Sequence, residues 1–415
     1  MDKTVNTILF GILAALMGAA AGAFVWMVLF IMNTGIHILW TGIPEAMGAG
    51  GSPAYNLTGC LAGGLVIGLW QKRYGILPDD LETVMGRIKK EGKYPYDRLH
   101  IIAVAALLPL IFGGALGPEA GLSGLIAGLC CLIGDRMKQK GDEAAALAET
   151  GIAATLGVIF NAPLFGIIDN LEPDNKNEKY RKKLADKKTR IFLDIMGVAG
   201  GMAAMGIMKN IAGSSGGLPR FEARDGFDPE QWKWLAVFLA AGILMGLFSM
   251  AVGRITEKIG KMLRPYRIAS CMTAGLILGI TGFLLPLSMF SGEHHMTLLI
   301  ESWQEYSAAI LILSAIGKLF LVNLCIDLGW RGGSIFPIIF SGTAMGFAAA
   351  MATGADGAFA VAATAAALCG YIMRKPVTVI AVLLLCFPVA YIPPLAIGAF
   401  AASKIPVPGI LKKHE

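Results

Sequence analysis

Gly113-Gly-Ala-Leu-Gly-Pro-Glu-Ala-Gly-Leu122 places one carboxylate, Glu119, in a glycine-rich break between two charge-free apolar runs, 101–116 and 120–133. At roughly 1.5 Å per helical residue, each run reaches the middle of a bilayer or beyond. A charge at that depth is unfavourable by roughly 2.5 to 3.5 kcal/mol on insertion scales, so it ordinarily faces a cavity, an ion path or a partner. The glycines and Pro118 predict one helix that stops inside the membrane and another that starts there. The starting helix aims N–H groups and a positive dipole end at whatever fills the gap, a geometry suited to an anion. Glu119 is itself an anion and a competitor for that place. The alternative is a carboxyl buried at a helix crossing for packing alone.

Composition sets the class. Of 415 residues, 55% are hydrophobic and only 15% charged, against about 25% charged in soluble domains. The chain therefore reads as an integral membrane protein. Its 53 glycines suit helices that approach closely through small side chains. The first apolar run, 7–32, is too long for a signal-peptide core, so no cleaved leader is expected. The net charge of +6 is spread over polar loops, which fits basic cytoplasmic loops and not nucleic-acid binding. Seven cysteines (Cys60, Cys130, Cys131, Cys271, Cys325, Cys369 and Cys386) lie in apolar segments without paired ligand spacing. They read as small buried hydrophobes, with neither a disulfide framework nor a metal site expected.

Further apolar runs come at 55–70, 144–171, 191–208, 234–252, 270–290, 308–328, 335–351, 359–373 and 377–402. Many are shorter or longer than the 20 or so residues of a simple span, and several are cut by glycine or proline. Tilted and broken helices follow, the pattern of a transporter. The linkers 71–100 and 172–190 are rich in lysine and arginine, and 172–190 is expected in the cytoplasm. The first of them has amphipathic helical patterning over 79–91. The segment 213–231 reads as an exposed polar loop between halves, followed by interfacial Trp232 and Trp234. The tail, 405–415, is too short for an added cytoplasmic domain. The expected division is thus a first transmembrane repeat over 1–212, the loop 213–231, and a second repeat over 232–404.

Internal similarity supports two repeats. Gly157-Val-Ile-Phe-Asn-Ala-Pro163 matches Gly370-Tyr-Ile-Met-Arg-Lys-Pro376, each preceded by alanine-rich sequence. About forty residues before each proline lies a glycine-rich break, Gly117-Pro-Glu-Ala-Gly121 in one half and Gly332-Gly-Ser-Ile-Phe-Pro337 in the other. Paired breaks in corresponding positions point to a midplane site between repeats.

The ordered set of motifs resembles the CLC chloride channels and transporters. Gly117-Pro-Glu-Ala-Gly121 is similar to that family's glycine–glutamate break, Asn161-Ala-Pro163 to the end of its alanine-rich helix, and Gly329-Trp-Arg-Gly-Gly-Ser-Ile-Phe-Pro337 with Ser341-Gly342 to its G-G-x-F-x-P element. The resemblance implies an all-α polytopic fold of inverted repeats, a homodimer in the plasma membrane, and one chloride path per subunit. It makes Glu119 the gating glutamate and assigns anion coordination to backbone amides of Ala120, Gly121, Ser334, Ile335 and Phe336. Protons and a halide are the implied ligands, with no cofactor and no catalytic chemistry. Besides Ile335, an apolar exchange for the usual phenylalanine, this chain departs from the family pattern at three places. The serine of the first family break is absent from Arg73-Tyr-Gly-Ile-Leu-Pro78, where Tyr74 or Arg73 takes its position. Glu172 falls one residue before the place of a proton-relaying glutamate, so it is either that relay or a solvated loop carboxylate. Tyr391, one residue out of register among Pro388, Pro393 and Pro394, is either the family's inner anion-binding tyrosine or a packing aromatic.

Four modes remain open on the residues: chloride/proton antiport, passive chloride conduction, fluoride export, and a non-transporting scaffold or sensor of the same fold. Adjacent His294 and His295 lack the i, i+4 spacing of a metal pair and read as structural. Lys318 and Asp327 in an apolar run are expected to pair or to meet an aqueous vestibule. Arg331 beside the second break either draws anions or contacts phosphate headgroups. No nucleotide-binding motif is present to support an ATP-driven pump.

Overall fold

The computed structural model describes residues 3–48, 52–80, 83–84, 86–87, 94–136, 187–213, 219–222, 228–384 and 386–411. The motif at 157–166 and Glu172 lie outside the described residues, as does most of 79–91. The principal helices are α1 Lys3–His37, α2 Pro53–Tyr74, α3 Leu99–Ile111, α4 Glu119–Arg136, α5 Lys187–Ala212, α6 Leu235–Leu263 and α7 Arg267–Leu284. They continue with α8 Glu293–Ser302, α9 Ala308–Asp327, α10 Ile335–Thr353, α11 Gly357–Met373, α12 Pro376–Leu383 and α13 Ile392–Lys404. No strand occurs among the described residues, and six helical stretches in them are long and apolar enough to cross a membrane. The all-α, multi-pass reading is thus met. The run 377–402 is split into α12 and α13, because Pro388, Pro393 and Pro394 cannot continue a helix from upstream.

Two compact units form. One comprises Met1–Thr34, Leu77–Leu107 and Pro118–Gly217; the other comprises Gly35–Ile76, Leu108–Gly117 and Leu218–Glu415. Parts of the chain's first half therefore pack with its second half. In the first unit, α1 meets α5 at backbone distance. A side chain at Gly18 would collide with the Gly197 carbonyl, one at Gly22 with that of Gly201, and one at Gly200 with that of Ala15. Close packing through small residues is how helices associate where lipid removes the hydrophobic drive between them.

The second unit repeats this device twice. Between α2 and α7, a Cβ on Gly64 would lie 2.8 Å from the Met272 Cα, and one on Gly68 would lie 2.7 Å from the Ile268 Cα. From the other side, Gly275 faces the Cys60 carbonyl. The alanine-rich α11 is buried over 357–371 except at half-buried Ala358. Glycines approach it from three helices: Gly242 of α6 near Thr364, Gly342 and Gly346 of α10 near Ala365 and Val361, and Gly398 of α13 near Ala363. Asp356 caps α11 by accepting from the Phe359 amide at 2.9 Å. Its far end stops at Arg374, in the left-handed region at φ 58°, a conformation that costs a non-glycine residue about 1 kcal/mol. Arg374 Nη1 donates to the Ser403 carbonyl at 2.8 Å and to that of Ile405 at 2.5 Å. Val407 packs beyond them against Ala367, Tyr371 and Ala402.

Two expectations are corrected. The segment 213–231 is not exposed throughout: Phe221 is buried, its amide donates to the Cys386 carbonyl at 2.6 Å, and its ring stacks on Phe387 at 4.4 Å. An aromatic in a polar stretch found apolar surface. Of the two alternatives for Lys318 and Asp327, pairing with one another is not met, while Asp327 lines an open recess. Fully buried Lys318 donates to the carbonyls of Met289 at 2.5 Å and Phe290 at 2.9 Å, under the Phe340 ring at 4.7 Å. Asp327 accepts instead from Thr256 at 2.5 Å. His295 is half-buried beside the rings of Phe290 and Phe340. Burial, with Lys318 and His294 nearby, pushes its pKa down to about 3.

Overpacking a close helix crossing typically costs 1–3 kcal/mol, so Gly275→Leu should lower the detergent unfolding temperature clearly. Gly206→Ala, where an added Cβ meets nothing within 4 Å, should not. His295 binds its proton more weakly folded than unfolded, where its pKa is near 6.5. Its contribution is therefore intact above that value and is lost as the pH falls towards 3. His295→Phe should flatten the acid limb of the unfolding-temperature profile between those two values.

Candidate functional site

α3 ends at Ile111, and residues 112–118 run without helix to Glu119, the first residue of α4. α9 ends at Asp327, and 328–334 run similarly to Ile335. Irregular backbone at membrane depth must satisfy its own polar groups, and several of these bonds are seen here. Gly117 and Gly333 form an antiparallel bridge with reciprocal bonds, Gly117 N–H to Gly333 O at 2.8 Å and Gly333 N–H to Gly117 O at 2.7 Å. Gly114 N–H turns back to the Pro109 carbonyl at 2.8 Å. The Gly113 carbonyl accepts from Phe290 at 3.1 Å, and the Ile111 carbonyl from Trp40 Nε1 at 2.8 Å. On the second break, Ser270 Oγ donates to Leu328 O at 3.0 Å, Gln71 Nε2 donates to Gly329 O, and Trp330 Nε1 reaches Cys271 O at 2.9 Å.

Glycine is required at these positions for stated reasons. Gly113 at φ 87° and Gly329 at φ 106° occupy the left-handed region. A Cβ on Gly332 would lie 2.7 Å from Leu116 and 3.2 Å from the Gly117 carbonyl, which would push the bridge apart.

Glu119 is 2% exposed and opens α4. A carboxylate there is favoured by the positive helix end. The first turn of α4 is tight: Ala120 and Gly121 are buried, Gly121 faces Ala106, and Ser123 Oγ is bonded back to the Ala120 carbonyl at 2.8 Å. In the second unit Ser334 caps α10 without a side-chain bond, its carbonyl accepting from Ile338 at 3.1 Å. Ile335 is half-buried and Phe336 fully buried. The bridge thus ties the residue two before Glu119 to the residue just before Ser334.

The two tyrosines stand in different settings. Tyr391 is fully buried in the turn before α13, 5.3 Å from the Phe387 ring. Tyr74, in the last turn of α2, lies against Trp70 at 4.6 Å with Arg73 over its face at 5.8 Å. That is an aromatic pair with a cation over one face, at the end of α2. Gln71 was grouped by its polarity with the linker 71–100; the structure places it inside α2, buried, as the donor that satisfies Gly329. A lone amide at the end of an apolar run is the signal that could have found it. Trp330, fully buried against Gly114, was likewise hidden within its motif.

Comparison with known proteins follows the same lines. The profile described as voltage gated chloride channel matches residues 63–406. YfeO of Escherichia coli O1:K1 / APEC, named as an ion-transport protein, is 29% identical over 349 residues, covering 80% of this chain and 77% of that protein. A slow cyanobacterial Cl−/H+ antiporter superposes with a TM-score of 0.76 at 18% identity, over 94% of this chain and 93% of the other. A CLC-type fluoride/proton antiporter superposes at 0.73 with 17% identity, over 98% and 97%. The profile match covers most of the chain, and the solved structures share its fold. This chain belongs to the voltage-gated chloride channel (CLC) family of anion-transporting membrane proteins.

Proposed function

We propose that this chain exchanges chloride for protons across the plasma membrane, with Glu119 as the gate and the amides at the start of α10 as the anion's principal ligands. The observation that carries the reading is the reciprocal Gly117–Gly333 pair, which ties together the two breaks that precede Glu119 and Ser334. Family membership supports the same assignment. A halide is large and weakly hydrated, so the partial charges of several amides hold it without trapping it. Ala120, Gly121, Ser334, Ile335 and Phe336 supply those amides in this proposal. Ionised, Glu119 occupies the anion's place; protonated, it loses its attraction to the helix ends and yields. A proton thereby enters as chloride moves. Glu172 is the proposed inner relay, with water as the carrier if it is not, and Tyr391 is the proposed inner side chain of the path.

The protein is proposed to work as a homodimer of subunits built from two inverted repeats, 1–212 and 232–404. A clean monomer mass in both detergent and lipid would remove the dimer. Fluoride export is a second reading, favoured by the missing serine in Arg73-Tyr-Gly-Ile-Leu-Pro78.

Proteoliposomes loaded with chloride or fluoride, read by an ion-selective electrode and a pH electrode together, test these readings. Uphill proton movement driven by a chloride gradient is expected. Fluoride-selective flux would install the second reading, chloride flux without proton movement would make the protein a passive channel, and no flux of either anion would leave a scaffold. Glu119→Gln, imitating the protonated side chain, should keep anion flux while losing its pH dependence and its proton coupling. Wild-type behaviour in Glu119→Gln would show that Glu119 is not the gate.

A further inference from the structure

Where α2, α6, α7 and α9 end together in the second unit, cations outnumber their partners. A recess of about 190 Å³ is lined by Lys261, Arg264, Arg267 and Arg331 against only two carboxylates, Glu257 and Asp327. Glu257 pairs with Lys261 of the same lining at 2.7 Å, and Asp327 accepts from Thr256. Arg264, Arg267 and Arg331 form no ion pair among the described residues. Arg267 Nη1 and Arg331 Nε are shielded from solvent without a hydrogen-bond acceptor there. A guanidinium nitrogen buried without an acceptor is costly, and its geometry matches an oxyanion. The recess walls are firm: Gly260 packs on the Asp327 carbonyl, and Ser270 and Gln71 hold the chain at 328–329.

The recess does not stand alone. It shares Gln71 and Arg267 with a second groove, of about 680 Å³, that runs along α7 past Ile268 and Met272 with Lys72 and Tyr266 at its mouth. Beside them the Trp70–Tyr74 ring pair and the basic ends of α2 and α6 mark a membrane interface, on the cytoplasmic side by the positive-inside tendency. One basic socket joined to one apolar trough at the headgroup level is the shape of an amphiphile. Basic pockets between membrane helices on this side suit anionic headgroups.

We propose that this recess binds an anionic glycerophospholipid of the inner leaflet, its phosphate on Arg264, Arg267 and Arg331 and an acyl chain along Ile268 and Met272. The lipid supplies the acceptors that the protein leaves out. Its site is distinct from the amides assigned to chloride, and its test needs no transport.

Native mass spectrometry of the full chain, titrated in detergent with phosphatidylglycerol and separately with phosphatidylcholine, reads the occupancy. Wild type should prefer phosphatidylglycerol by roughly tenfold or more, given two or three cations near the headgroup. Arg264→Gln combined with Arg267→Gln should reduce that preference to near parity. Lys258→Gln, which removes an exposed cation of α6 outside the recess, should leave it unchanged. If the double variant does not fold, Arg264→Glu, at an exposed position, carries the same expectation. Equal binding of the two lipids by wild type would overturn the proposal, as would a preference that survives the arginine changes or falls equally with Lys258→Gln. Millimolar inorganic phosphate should not displace the bound lipid; displacement with phosphate bound in its place would make the occupant a free anion and end the lipid assignment.

Discussion

Two glycines that exchange backbone hydrogen bonds hold the middle of this protein. A helix interrupted inside a bilayer leaves amides and carbonyls with no water to turn to, each worth several kcal/mol if unmet. Gly117 and Gly333 answer that demand with each other, at 2.8 and 2.7 Å. Beside the bridge glycine is needed at 332, where a Cβ would press on Leu116 and on the Gly117 carbonyl. The carbonyls of Ile111, Gly113, Leu328 and Gly329 are met by Trp40, Phe290, Ser270 and Gln71. These bonds brace the backbone of the breaks, and the side chains beside them are freer to move. That suits a mechanism in which a carboxyl changes its charge and place while the helix ends stay put.

Packing elsewhere obeys the same economy of volume. Membrane helices cannot gain from burying leucine against leucine when lipid already offers the same contact. The chain instead brings backbones together through Gly18, Gly22 and Gly200 in one unit, and through Gly64, Gly68 and Gly275 in the other. α11 carries the logic furthest, with small side chains on all faces and glycines approaching from three neighbours. Lys318 shows the polar counterpart: a buried ammonium used as a donor to two loop carbonyls, stabilising the turn at Phe290.

Much of this was readable from the residues. Charge-free runs bounded by glycine and proline located α3, α4, α9 and α10 to within a few residues, and the prolines around Tyr391 foretold the gap between α12 and α13. Glu119 stood out because it was a single carboxylate in such a run. What stayed hidden was partnership across the chain. The glycines of α2 announce a close neighbour but not that it is α7, some two hundred residues away, because small residues carry no identifying chemistry. Gln71 looked like the first residue of a linker, since its value depends on the Gly329 carbonyl that folding delivers to it. Phe221 was masked by the polar residues around it, and for Lys318 and Asp327 pairing stayed open beside a vestibule contact because composition cannot say which carbonyl or hydroxyl lies nearer.

The clasp at Arg374 bears on how the protein could be handled. Its guanidinium grips the carbonyls of Ser403 and Ile405, and Val407 is pinned against the bundle just beyond. The segment leaving α13 is therefore a rigid strut with a defined exit direction, not a loose string. A fluorophore or affinity handle grafted ahead of residue 407 would unseat that strut and loosen α11 with it. The same graft placed after the turn at Gly409–Leu411 would inherit a steady mount, useful for distance measurements within an assembly.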